Sequence, residues 1–298
     1  MAHASSLNPR WEFSCLTPGG RTLCVPQAAV VSPASYHIDT TSRPWSRLFL
    51  GLIAVGSLAL VFFHQAPISQ RPEYHKFADT RPWFGIPNAG DVLTNIAFLI
   101  PGLLGSIVFF RSPPSGARWS WVCLFAGTTL VAFGSAFYHW NPENWTLLWD
   151  RLPMAISFMG LFTGLLCENV FPHLFENALL IPLQTVGIGS VLYWYAVDDL
   201  RFYLWVQFFP LLCIVLIPFL FRMRYSHSGT LFCSLGLYVL AKVVEINDRR
   251  IYESTMHLIS GHSAKHLLAG LAAFLLFLMI RNRKLMLQIP KSSLREGD

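Results

Sequence analysis

Eight stretches of this chain run apolar for close to twenty residues each, the length an α-helix needs to cross about 30 Å of hydrocarbon. They lie near residues 48–63, 91–110, 119–138, 149–166, 178–197, 202–221, 229–246 and 257–280. A soluble amphipathic helix would instead carry an apolar stripe recurring every three to four residues. Composition agrees, with 53% of residues hydrophobic and 13% charged, where soluble domains carry roughly 25% charge. The expected fold class is all-α: a polytopic transmembrane helical bundle.

The runs are joined by short loops rich in Pro, Asn and Asp, as in Trp140-Asn-Pro-Glu-Asn144, which is turn chemistry between helices. No internal repeat is present, and the loops leave no room for a separate soluble domain. Residues 1–45 are polar and Pro/Ser-rich without a sustained period, and read as a disordered leader. Residues 46–66 read as an additional N-terminal anchor, because the first run lies too far from Met1 for an ordinary cleaved signal peptide. Residues 79–284 form the expected seven-helix core, and 285–298 a cytoplasmic tail.

The net charge of +6 has no basic stripe or base-stacking module behind it, so nucleic acid is not an expected partner. Topology explains the charge better, because Lys and Arg concentrate in cytoplasmic loops. An eight-span arrangement puts thirteen of them on one side, among them Arg111, Arg118, Arg222, Arg224, Arg281 and Arg283. Seven fall on the other: Arg71, Lys76, Arg81, Arg151, Arg201, Arg249 and Arg250. Both termini are therefore expected in the cytoplasm. The six cysteines form no CxxC pair, four of them lie inside apolar runs where a buried thiol is ordinary, and they say little about redox compartment.

Ionisable side chains inside spans cost about 2.5–3.5 kcal/mol each on insertion scales, so those present need a function or a partner. Ser135 and His139 end the third run four residues apart, on one helix face. Asp150 opens the fourth run, and His262 and His266 stand at the start of the eighth, again four apart. The alternating topology carries all five to the same, non-cytoplasmic side. An HxxxH pair alone often only caps or packs, and Asp150 alone could face a helix dipole or pair with Arg151. A third histidine at matching depth, however, completes the three-ligand shell of a catalytic zinc. In that reading Asp150 is the general acid and base, and Ser135 steadies water or an oxyanion. Glu245 and Lys242, three residues apart near the end of the seventh run, are expected to pair or to orient the histidines from behind. Lys265 is expected to snorkel, and His257 to sit at the interface.

The pattern Ser135-x3-His139, ten residues to Asp150, and a last-span His262-x3-His266 resembles the alkaline ceramidase family, across roughly residues 79–281. The resemblance implies a seven-helix core in which the three histidines hold zinc. It also implies that Asp150 and Ser135 help cleave the N-acyl amide of a ceramide or phytoceramide-like lipid to a fatty acid and a sphingoid base. The partner it implies is a membrane lipid, with no obligate protein partner. The membrane would be that of the ER or Golgi in a eukaryote, or the inner membrane in a bacterium. Some of that family also hold calcium ahead of the first core helix; here the segment offers only Asp79, Asn88 and Asp91, which argues less for calcium than for zinc. The leader and extra span depart from the seven-span plan. The same constellation occurs in adiponectin-type receptors, so a zinc-containing lipid sensor with little turnover stands as the alternative. A haem carrier would need stacked histidine pairs near both leaflets, and a transporter a polar path across the bilayer; neither pattern is present.

Overall fold

In hydrocarbon every backbone N–H and C=O must find a partner within the protein, which leaves the helix as the natural form for these apolar runs. The computed structural model describes residues 13–16, 23–26, 44–112, 116–172 and 174–286. Among them are eight helices long and apolar enough to cross a membrane. The chain divides into two units, residues 1–42 and 43–298. In the first, two four-residue strands, β1 (Phe13–Leu16) and β2 (Leu23–Pro26), pair antiparallel with Phe13 opposite Pro26. The remainder of the expected leader, and residues 287–298 of the expected tail, lie outside the described residues.

The second unit is all-α. Its helices are α1 (Pro44–His64), α2 (Ala89–Leu93), α3 (Ile96–Arg111), α4 (Arg118–Trp140), α5 (Asn144–Leu165), α6 (Glu176–Val197), α7 (Arg201–Leu220), α8 (Ser228–Ile246), α9 (Asp248–Ser254) and α10 (Gly261–Asn282). Side-chain polarity is inverted relative to a soluble protein. Ser135, His139, Thr146, Asp150 and His266 are buried, while Phe133, Ile100, Val239 and Phe219 face outward. Lipid in place of water outside the bundle accounts for that arrangement.

Helix starts differ from the apolar runs wherever a polar cap lies outside the run. Glu143 and Thr146 form a capping box that starts α5 at Asn144. Asp150 therefore sits within the helix rather than opening it, beyond the first turn where a dipole acts. Ser260 caps α10 by accepting from the Ser263 amide at 2.9 Å. The last span consequently starts at Gly261, leaving His257 in the preceding turn at φ +65°, against the Tyr252 ring. The span from residue 89 is interrupted at Thr94–Asn95, between α2 and α3.

Close approach of α4 and α5 requires Gly134. A Cβ there would stand 2.1 Å from the Trp149 carbonyl oxygen. Small residues let membrane helices pack by backbone contact, and this one sets Ser135 beside Asp150. At the opposite end of the bundle a π-helical turn, Leu166–Val170, closes α5 and carries Glu168, which is paired with Arg283 beyond α10. The additional helix α1 leans on α7, where Trp205 donates to Ser57 at 3.0 Å and Arg201 to the carbonyl oxygens of Phe62 and Gln65.

Candidate metal centre and cavity

His139 lies in the last turn of α4, and His262 and His266 lie in the first two turns of α10. Nε2 of His139 is 3.2 Å from Nε2 of His262. One donor nitrogen from each of the three rings lies within 4.8 Å of the others, and all three residues are buried. The group is able to hold a metal ion.

Hydrogen bonding fixes which nitrogens present lone pairs. The Thr94 hydroxyl has one proton, and the carbonyl oxygen of Gly90, one turn back at 2.8 Å, takes it. Oγ1 of Thr94 must then accept from Nδ1 of His266, 2.9 Å away. That assigns the proton to Nδ1 and leaves a lone pair on Nε2, which is buried without a partner. An ammonium is donor-only, so Lys265, 2.9 Å from Nε2 of His262, requires a lone pair there as well. Lys265 thus puts positive charge where a cation would approach. It turns inward to Glu245 at 3.0 Å rather than snorkelling, and Glu245 also holds Lys242 at 2.8 Å. Two buried ring nitrogens of the cluster, Nε2 of His266 and Nδ1 of His139, have no partner, and the lone pair of His266 fits a metal ion.

The backbone around the rings is pinned from several elements. Asp248 accepts from the amides of His262 at 2.8 Å and Ala78 at 2.9 Å. Asn88, in the left-handed region at φ 46° that Asn tolerates, donates to the His139 carbonyl oxygen at 2.8 Å. The Phe77 ring packs 4.6 Å from His139 and 4.9 Å from His262.

No protein-family model matches this sequence, and no curated protein matches it.

Ser135 and Asp150 both line, with His266 and Lys265, a cavity of about 420 Å³. Five helices run along it, from Ser135 to Leu124 on α4, Asp150 to Leu161 on α5, Tyr203 to Ile214 on α7, Glu245 to Ser234 on α8 and Lys265 to Leu276 on α10. Each pair is eleven residues apart, and at 1.5 Å per residue that is about 16 Å along the bundle. Polar chemistry is gathered at one end of the cavity and aliphatic side chains at the other.

Two of the three calcium candidates, Asp79 and Asn88, and one oxygen of Asp91 are engaged within the protein. Both oxygens of Asp79 take the Arg81 guanidinium, at 2.8 Å each. Burial raises the Asp79 carboxyl, and hydrogen bonds from the Arg81 side chain and amide outweigh it, holding the group below its ordinary value. Asn88 serves His139 as above. Oδ1 of Asp91 accepts from Ser260 at 3.1 Å and Ser263 at 2.6 Å, while its Oδ2 is buried without a partner. Where a cation would sit against Asp79, Arg81 supplies the charge.

The residues missed in the sequence are Thr94, Phe77 and Asp248. Thr94 lies in a short polar helix start whose interruption was the available signal. Phe77 and Asp248 gave none, since each reaches the histidines from a distant loop or short helix.

Proposed function

We propose that this protein is a zinc-dependent intramembrane amidohydrolase acting on the N-acyl amide of a ceramide-like lipid. The observation that carries the reading is the meeting of a three-histidine centre with Ser135 and Asp150 at the polar end of a long apolar cavity. His139, His262 and His266 would hold the ion, which when bound supplies a Lewis acid for a carbonyl oxygen and acidifies water. The Asp150 carboxylate removes a proton from the attacking water as its oxygen adds to the amide carbon. It then delivers that proton to the nitrogen as the C–N bond breaks, leaving a carboxylic acid and a free amine. Ser135, which lines the same end of the cavity, orients that carboxyl toward the reacting atoms. The acyl chain lies along the aliphatic walls, and the surrounding helices exclude bulk water. The Lys/Arg distribution supports a site facing the non-cytoplasmic side.

The test is hydrolysis of ceramide and phytoceramide by detergent-purified protein, with zinc quantified in the same sample. About one zinc per chain is expected. Asp150→Asn should keep the zinc while losing turnover by about 10²–10⁴-fold. Zinc without turnover of any amide lipid would favour the lipid-sensor alternative, and absence of zinc would remove the metal centre.

A further inference from the structure

We propose that Arg151 recognises an anionic group, a phosphate or carboxylate, on the amine half of the lipid held in the cavity. This rests on the reading of the cavity as a lipid amide site. Among the described residues lining the cavity, only two carry a buried nitrogen or oxygen without a partner: His266 at Nε2 and Arg151 at Nη1. The first belongs to the metal centre. The second is unexplained by it.

Arg151 is 5% exposed and forms none of the ion pairs among the described residues. Its Nη2 donates to Oε1 of Gln70 at 2.7 Å. The guanidinium lies over Trp194 at 4.0 Å, Tyr203 at 4.9 Å and Tyr74 at 5.5 Å. Rings on this scale hold a guanidinium in place and leave its edge donors free. Other polar groups along the wall are matched within the protein: Gln207 donates to Tyr238, Ser157 to the Leu124 carbonyl oxygen and Ser234 to the Ala272 carbonyl oxygen.

Charge points the same way. Arg71, Arg151, Lys242 and Lys265 line the cavity against Asp150 and Glu245, and both lysines share Glu245. A buried cation with an open donor favours an oxyanion over a neutral hydroxyl, because the charge-assisted bond is the stronger one. Arg151 follows Asp150 in α5, which puts this group close to the scissile amide. Gln70 and Tyr74 place it on the side of the α1–α2 connection.

The experiment is equilibrium binding to full-length protein stripped of metal by chelation, so that turnover plays no part. The probes are N-palmitoylglycine, its neutral counterpart N-palmitoylethanolamine, ceramide 1-phosphate, ceramide and palmitate. Wild type should bind each anionic amide on the order of tenfold tighter than its neutral counterpart. Arg151→Gln should erase that preference while leaving the neutral ligands unchanged, and Arg151→Lys should keep part of it. Equal affinity of wild type for the charged and neutral pairs overturns the proposal without reference to any variant. Palmitate binding as tightly as N-palmitoylglycine, with the same dependence on Arg151, would assign the cation to the fatty-acid carboxylate and overturn the headgroup assignment. Loss of turnover in metal-loaded protein with the binding preference intact would count against the hydrolase reading alone.

Discussion

Nε2 of His139 and Nε2 of His262 face each other across 3.2 Å, brought together from helices 123 positions apart in the chain. Lys265 obliges the second of these nitrogens to carry a lone pair, and a single ion bonded at about 2.0–2.1 Å to each nitrogen can bridge such a gap. Metal removal should therefore destabilise the bundle at this end. With free zinc near a hundredfold above its dissociation constant, chelation should cost about 2.7 kcal/mol of stability, read as a lowered Tm. His139→Ala should show the low Tm with or without chelator. A Tm indifferent to chelation in wild type would separate this cluster from metal binding.

Thr94 acts on His266 by fixing its tautomer. Thr94→Val keeps the shape but removes the acceptor for Nδ1–H, so zinc affinity should fall about 10–100-fold, the usual weight of such outer hydrogen bonds. Thr94→Ser, which keeps the hydroxyl, should stay near wild type. Competition of each variant with a chromogenic chelator measures the difference, and equal affinities for the valine and serine variants would sink the tautomer assignment.

Most of the architecture was legible because its cause is local. Apolar length marked every long helix of the second unit, and the spacings Ser135-x3-His139 and His262-x3-His266 placed donors on shared faces before any tertiary contact was known. What stayed hidden depends on pairing across sequence. Lys265 looked like a snorkelling cation until Glu245, twenty residues earlier on α8, supplied an inward partner. Asp79 looked like a cation ligand until Arg81 closed on it. Asp150 appeared to start its helix because the apolar run starts there, whereas the true start is set by the Glu143–Thr146 cap. Asp248 was unreadable because its contacts, the amides of Ala78 and His262, belong to the backbone.

Gly134 tests whether the α4–α5 contact sets the chemistry. Gly134→Ala puts a methyl group onto the Trp149 carbonyl oxygen, which belongs to the backbone and cannot swing aside. The helices must part, at a cost of about 1–3 kcal/mol for overpacking. Because Ser135 and Asp150 flank the contact, turnover should drop further than stability alone explains, while zinc stays bound. Unchanged Tm and turnover in this variant would show that the contact is looser than the backbone geometry requires.

Asp199, in the turn between α6 and α7, gives a pH dependence that does not involve the metal centre. Its carboxylate takes the Arg201 guanidinium at 2.7 Å and the amides of Arg201 at 3.1 Å and Ile68 at 3.3 Å. Hydrogen bonding from Arg201 holds the group at about 2 against an ordinary 3.8, with burial opposing. The folded value lies below the unfolded one, so the pair's contribution is complete above about pH 4 and is lost as pH falls toward 2. Arg201 also grips the carbonyl oxygens of Phe62 and Gln65, so the loss should loosen α1 from α7. Wild-type Tm should hold between pH 6 and 5 and fall steadily below 4. Asp199→Asn should start lower at pH 6 and fall less across the same acid window, and parallel curves for the two proteins would show that this carboxylate does not set the acid limit.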